Sequence, residues 1–319
     1  MTSPAPLVSV IIPAFNRRDT ILRAVRSVLD QSYSNLECIV VDDGSTDGTA
    51  EQLRTINDDR IRLIRHETNR GASAARNTGI RESRAEFIAF LDSDDEWLPS
   101  KLARQVPFLL SQPESVGLVY CWMDYVDPAG TVLHQHHPTL SGHVFEHTLD
   151  QQRLGGCPTL LLPKSVAEAV GGFDESLPRG NDGDFIRRIC RKWAVNFQPE
   201  VHVLVHTDAA NRISEMTPEG IRASLTSYKS RVNKFSEELG TLPTVHANIL
   251  RAMAALHSRL GEEEASNALQ QQANALARTA LSPLGRLSLL MPPQIRSTLS
   301  WPCFALIRLL KLSRDKDGG

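Results

Sequence analysis

Phe87-Ile88-Ala89-Phe90-Leu91-Asp92-Ser93-Asp94-Asp95 is the stretch whose reading decides the fold. An apolar run of strand length gives way abruptly to three carboxylates within four positions. Such a run suits a strand of a parallel sheet, which helices cover on both faces, and ligands gather where such strands emerge at their carboxyl ends. Carboxylates this close repel one another and are costly to keep ionised unless a cation or strong donors compensate. A divalent metal is the simplest compensation. Magnesium and manganese take oxygen ligands, commonly one or two carboxylates plus the phosphates of a substrate. The competing reading is an acidic loop that caps a helix beginning near Pro99.

Outward from this stretch the same grammar repeats. Leu7 to Pro13 reads as a first buried strand, followed by the loop Ala14-Phe15-Asn16-Arg17-Arg18. From Asp19, an N-cap candidate, Ile21, Leu22, Val25, Val28 and Leu29 recur at helical spacing. Glu37 to Val41 forms a second strand and also ends in acids, Asp42-Asp43-Gly44-Ser45-Thr46-Asp47-Gly48. Thr46 or Asp47 can cap a helix running to about Ile56. Ile61 to Arg65 is a short third strand. Gly71 to Gly79 opens a helix of small residues that carries Arg76, either toward the site or into a surface salt bridge. A helix from Trp97-Leu98-Pro99 to about Leu110 and a strand over Gly117 to Tyr125 complete the series. Strands alternating with helices predict an α/β domain with a mostly parallel twisted sheet. No Gly-x-Gly-x-x-Gly follows the first strand and there is no Walker lysine loop, which removes the main support for dinucleotide dehydrogenases and P-loop NTPases.

The 319 residues are 41% hydrophobic and 23% charged, an ordinary globular balance. The net charge of -2 hides an asymmetry, because residues 220–319 carry 13 Lys/Arg against 7 Asp/Glu. The acidic remainder argues against nucleic-acid binding. Cys38, Cys121, Cys157, Cys190 and Cys303 are scattered singly, which suits a reducing compartment and speaks against structural zinc. Met1 to Pro6 is too short and too poor in charge for the front of a signal peptide, so the cytoplasm is the expected location. His134, His136, His137, His143 and His147 match no familiar zinc spacing and are expected to be solvated or acceptor-facing.

Five ordered motifs, VSVIIPAFNR, IVVDDGSTDGT, RGASAARNTG, FIAFLDSDDEWLP and VGGFDESLPRGNDGDFIRR, resemble the glycosyltransferases of family 2, inverting enzymes with the GT-A fold. The resemblance covers about Val8 to Ser214. It implies that Pro13, Phe15 and Asp43 meet the nucleotide base, with the Asp43 carboxylate accepting the imide hydrogen of a uracil or thymine. It further implies that Arg76 and Asp92 bind the nucleotide sugar, with Asp92 near the ribose and metal, and that Asp94 ligates Mn2+ or Mg2+. Asp95 either shares that site or caps the following helix. Asp182 matches the family's general base, although it also reads as an N-cap before Phe185. The family often has Glu where this chain has Asn181, which leaves that residue's contribution open. Cys157 reads as a small packing residue, and His206 is a further candidate metal ligand.

The expected organisation is a GT-A catalytic domain over 1–215, with a nucleotide-binding half at 1–112 and an acceptor half at 113–215, then a helical region over 216–319. Ile249, Met253, Leu256 and Leu260, then Ala265, Leu269, Ala273 and Leu276, predict an αα-hairpin turning near Gly261. Residues 283–312 mix Leu and Trp with Arg and Lys, which suits either a terminal helix docked on the core or a segment lying in a membrane interface. The implied activity is metal-dependent transfer of a sugar, most simply from a UDP-sugar, to a glycan or lipid-linked acceptor in cell-surface polysaccharide synthesis. The alternatives are a catalytically inactive sugar-nucleotide binding or scaffold protein and a metal-dependent nucleotidyltransferase. The second lacks a Gly-rich, Arg/Lys-bearing triphosphate loop.

Overall fold

The structure is a computed structural model that describes residues 5–151, 154–207 and 216–280. The chain divides into two compact units, the first ending at Ser236 and the second beginning at Glu237. In the first, β1 (Val8–Ala14), α1 (Ile21–Leu29), β2 (Leu36–Asp42), α2 (Thr49–Leu53), β3 (Ile61–Arg65), α3 (Ala72–Glu82) and β4 (Phe87–Phe90) alternate as expected. Then follow β5 (Glu96–Trp97), α4 (Lys101–Leu110), β6 (Val116–Val126), β7 (Val132–His136), α5 (Phe145–Asp150) and a 3-10 turn over Cys157–Thr159. β8 (Leu160–Pro163), α6 (Lys164–Ala169), α7 (Asn181–Cys190), β9 (Ala194–His206) and α8 (Pro218–Lys234) complete the unit.

The sheet runs β3-β2-β1-β4-β8-β6-β9-β5, with β7 paired to β6. Its first four strands are parallel, with β1 between β2 and β4. β8 then runs antiparallel to β4 and β6, whereas β6 and β9 are parallel. Every residue of β1 and β2 is buried. Alternation of side chains along β1 divides them between two cores. Val8, Val10 and Ile12 pack with Val25 and Val28 of α1 and Leu102 and Val106 of α4. Ile11 instead packs on the opposite face with Ile80, Val166 and Ile186. Helices therefore cover both faces, as continuous apolar strands require.

Register brings the chemistry together. Ala14 lies opposite Asp42 and Ile11 opposite Phe90, so the loops leaving β1, β2 and β4 emerge side by side. Because β8 is antiparallel to β4, pairing Ala89 with Leu161, the turn that precedes β8 arrives at the same edge. Gly79 lets α3 approach β1, since a Cβ there would sit 2.3 Å from Ile11 Cγ2.

Several local expectations are corrected. The α1 N-cap is Thr20 rather than Asp19, and α2 ends at Leu53 rather than near Ile56. Trp97 belongs to a two-residue strand paired with β9, so α4 begins only at Lys101 with Ser100 as N-cap. Asp95 therefore does not cap it. The second unit holds most of α9 (Ser236–Thr241), with α10 (Pro243–Arg259) and α11 (Glu263–Ala280) packed against each other around Gly261, whose φ is 74°. This is the expected αα-hairpin. α8 falls in the first unit, beyond the limit of 215 expected for the catalytic domain. Residues 208–215, residues 283–312 and Cys303 lie outside the described residues.

Candidate active site

The strand ends open into one cavity of about 850 Å³. Pro13, Phe15, Asp43, Arg76, Asp92 and Asp94 all line it, and Asp182 joins them from α7. His206 is not among the lining residues, although its neighbour Val205 is.

Asp43 is 2% exposed. Its Oδ2 accepts from the Gly71 amide at 2.7 Å, its Oδ1 meets His66 Nδ1 at 2.6 Å, and the Arg70 amide donates to both oxygens. His66 in turn contacts Thr78 Oγ1 at 3.0 Å. The carboxylate thus ties the end of β2 to the loop that opens α3, which fixes its orientation toward the cavity. Asp42 closes the adjacent turn instead, accepting from the Ser45 amide at 2.9 Å and facing Arg65 Nε at 3.3 Å. His66 was not legible as a site residue, because nothing local in the sequence marks a histidine 23 positions downstream as the partner of Asp43.

Arg76 lines the cavity and makes no surface salt bridge among the described residues. It is buried, with Nη2 donating to Asp92 Oδ1 at 2.7 Å and the guanidinium carbon 5.3 Å from the Phe173 ring centroid. Burial is the largest influence and pulls its basicity down, but Asp92, Cys157 and Asp182 together hold the guanidinium above its ordinary value. Nη1 reaches toward Asn181 Oδ1 at 3.5 Å, while Asn181 Nδ2 donates to Ser73 Oγ at 2.9 Å. A neutral amide here offers one acceptor and one donor and serves both at once. The donor-side strand end and the start of α7 are thereby linked through one buried cation.

Asp182 lies in the first turn of α7, whose N-cap is Gly180 with a φ of 68°. The expectation that Asp182 itself caps this helix is corrected. Its Oδ1 accepts from the Gly183 amide at 2.7 Å. Its Oδ2 lies 3.9 Å from where a Cβ on Gly156 would stand, an ordinary van der Waals separation. Arg187, buried beneath the same turn, is drawn down by burial and by Arg231 and pulled back by Asp182 and Asp184. Burial pushes the Cys157 thiol well above its ordinary value, against the pull of Arg76, so it stays protonated and acts in packing.

Asp94 stands 3.8 Å from Arg17 Nε, and its carbonyl accepts from Arg23 Nη2 at 2.6 Å. Arg17 also lines the cavity, a role its place in the loop after the first strand could have suggested. His206 Nε2 lies 3.0 Å from Glu96 Oε2. Among the described residues no three His, Cys, Asp or Glu side chains form a metal-binding group. Magnesium and manganese need fewer from the protein when a diphosphate and water supply the remaining oxygens. Asp94 beside Asp92 at the cavity wall fits that demand. Of the histidines in the 134–147 region, His137 stacks on Trp122 at 4.6 Å and meets Asp124 at 2.8 Å, while His134 lies 5.6 Å from the Tyr125 ring.

The family described as Glycosyl transferase family 2 matches residues 9–162. Similar curated proteins include the putative teichuronic acid biosynthesis glycosyltransferase TuaG of Bacillus subtilis, 46% identical over 114 residues, or 35% of this chain and 45% of TuaG. WfaP of Escherichia coli, a UDP-Glc:alpha-D-GlcNAc-diphosphoundecaprenol beta-1,3-glucosyltransferase, is 45% identical over 103 residues, covering 32% of this chain and 41% of WfaP. An uncharacterized glycosyltransferase of Rickettsia prowazekii is 32% identical over 211 residues, 65% of each chain. The chain thus spans less than half the length of TuaG and WfaP. Among solved structures, S. aureus TarS 1–349 in complex with UDP superposes with a TM-score of 0.55 at 19% identity, covering 84% of this chain and 91% of that one. The mannosyltransferase PcManGT from Pyrobaculum calidifontis, in complex with GDP-Man and Mn2+, gives 0.56 at 20%, covering 88% and 82%. These two likenesses show a shared fold.

Proposed function

The chain belongs to glycosyl transferase family 2 through its residues 9–162, and from that premise we propose a metal-dependent inverting glycosyltransferase that moves a sugar from a UDP-sugar to a lipid-linked or glycan hydroxyl. The observation that carries this reading is that Asp92, Asp94 and Asp182, from opposite halves of the domain, line one cavity together with Phe15 and Asp43. WfaP takes UDP-Glc and a diphosphoundecaprenol-linked acceptor by its name, which supports the donor and acceptor classes proposed here.

In the proposed reaction the acceptor oxygen bonds to the anomeric carbon as the carbon–oxygen bond to the diphosphate breaks, and the bonding pair leaves with the diphosphate. Asp182 receives the hydroxyl proton. Attack from the face opposite the leaving group inverts the anomeric centre, and Asp182 lines the same cavity as Asp92 from a different element. Phe15 offers an aromatic face to the base and Asp43 an acceptor. Arg76 fixes Asp92 for the donor. Asp94, with Asp92 beside it, would hold Mn2+ or Mg2+, which when bound supplies electrostatic stabilisation of the departing diphosphate. His206 is the further ligand proposed.

The decisive experiment incubates the purified chain with Mn2+ or Mg2+ and a panel of UDP-, dTDP-, GDP- and CMP-sugars and reads released nucleotide. Metal-dependent release from one donor, lost in Asp182→Asn and Asp94→Asn with the fold retained, is expected. Retained turnover in either variant overturns the corresponding role. Thermal stabilisation by UDP with no turnover, even with a diphosphoundecaprenol-linked acceptor present, would instead favour a sugar-nucleotide binding protein.

No described helix is long and apolar enough to cross a membrane. Residues 283–312 are proposed to contact the membrane surface, which a lipid-linked acceptor favours. Removing them should abolish sedimentation with anionic liposomes, and unchanged sedimentation would reject the role.

A further inference from the structure

Lys101 is fully buried at the start of α4, a costly place for an ammonium. Its Nζ donates to Gln105 Oε1 at 2.6 Å and lies 3.9 Å from the Trp97 ring centroid. The other titratable groups facing it are the Cys121 thiol of β6 and the His202 imidazole of β9. No ion pair joins Lys101 to a carboxylate among the described residues. Nothing in the proposed chemistry uses this charge, yet its neighbours converge on one feature. Gln105 Nε2 donates to the Thr159 carbonyl at 3.0 Å, Trp97 Nε1 to the Pro158 carbonyl at 2.9 Å, and Cys121 Sγ stands 3.6 Å from the Thr159 carbonyl. These carbonyls belong to the turn that begins at Gly156, where a Cβ would stand 3.9 Å from Asp182 Oδ2.

We propose that Lys101 is a positioning residue: its buried ammonium fixes the Gln105 amide, so that Gln105 and Trp97 hold the Gly156–Thr159 turn against the carboxylate of Asp182. The logic is one of orientation. A glutamine amide can be turned end for end, and only one orientation presents an N–H to Thr159. An ammonium donates and never accepts, so its contact with Oε1 selects that orientation. A neutral amine can accept as well as donate and no longer selects it. Burial, opposed by Cys121, pushes the Lys101 ammonium down to about 8, which brings its loss within reach of mild alkali.

The catalytic side of this inference rests on Asp182 as the base, but the positioning can be read without turnover. Hydrogen exchange at the amides of Cys157, Thr159 and Leu160 is followed by mass spectrometry on the full chain, with intrinsic rates corrected for pH. Gln105→Glu retains the acceptor for Lys101 and loses the donor to Thr159, and Lys101→Met loses the ammonium. Both are expected to exchange several-fold faster at the turn, while the rest of the sheet keeps its protection. In the wild type, protection of the turn should fall between about pH 7 and 9, and in Lys101→Met it should not change over that range. With a donor that is turned over, both variants should lose about tenfold in kcat with donor KM unchanged. Wild-type protection at the turn in folded Gln105→Glu overturns the proposal, as does a uniform rise in exchange across the whole sheet. If no sugar nucleotide is turned over by the wild type, the functional reading fails separately and the exchange result still stands.

Discussion

Arg76 shows how much one side chain can hold together. Its guanidinium, stacked on the Phe173 ring, joins Asp92, just beyond β4, to Asn181, at the start of α7. Removing one partner of such a pair leaves the other uncompensated, a loss of 3–5 kcal/mol when both are fully buried. Asp92 is about one-third exposed, 35% for its side chain, so Arg76→Met should cost about 2 kcal/mol, measured by urea denaturation. Nucleotide release should fall further than that loss explains, because Asp92 is freed to turn away. Unchanged release in a folded Arg76→Met would reject a role in binding the donor. Asp92 and Asp94 were legible in the sequence as acids that follow an apolar run of strand length, whereas Asp182 was legible only through the resemblance of its motif. The partners were not. Arg76 with Asn181, or His66 with Asp43, are pairs made by tertiary packing across 105 and 23 positions, which no local pattern encodes.

At the scale of elements, α8 is the clearest addition. Lys234 Nζ reaches Asp174 Oδ2 at 2.6 Å and Asp184 Oδ1 at 2.7 Å, Ser227 Oγ donates to the Arg179 carbonyl, and Arg179 Nη1 donates to the Gly220 carbonyl at 2.9 Å. The loop that leads into Asp182 is thus gripped from outside. Burial raises the Asp174 carboxyl, but Lys234 and Ser176 overcome that and hold it at about 2, against 3.8 ordinarily. A depressed carboxyl stabilises the fold above its unfolded value and loses that stabilisation as pH falls through its folded one. Roughly 2 kcal/mol should therefore disappear between about pH 4 and 2, and Lys234→Met should flatten that part of the pH–stability curve. Equal slopes in the two proteins would reject the linkage. Gly79 makes a second test at this scale. Its hypothetical Cβ lies 2.3 Å from Ile11 Cγ2, so Gly79→Ala should cost about 1–3 kcal/mol of overpacking despite its better helix propensity. Small residues in the third helix were visible in the sequence, whereas the identity of the side chain they accommodate was not. The two-residue strand at Glu96–Trp97 escaped for a related reason, because its pairing with β9 is purely non-local.

At the scale of the molecule, hydrophobic continuity was enough to identify the parallel half of the sheet, since strands buried on both faces write themselves as unbroken apolar runs. The mixed half was harder to read. β8 is only four residues long and its direction depends on a crossing that leaves no periodic mark. The extent of the first unit was obscured similarly, because the polar contacts of α8 to the 174–184 segment leave no periodic mark in the sequence. Where the unit ends is therefore a question for truncation. A chain ended at residue 236 keeps Ser227, Lys234 and Phe235, whose ring packs edge-on to Phe145 at 5.5 Å. It should fold cooperatively and retain UDP-induced stabilisation. A chain ended at residue 215 loses all of these and leaves Asp174 and Asp184 without their shared lysine. Its melting temperature should drop by several degrees, on the scale that a loss of a few kcal/mol produces in a domain of this size, with nucleotide release lost alongside. Equal melting temperatures in the two truncated chains would show that α8 is dispensable to the unit, and would favour the boundary at residue 215.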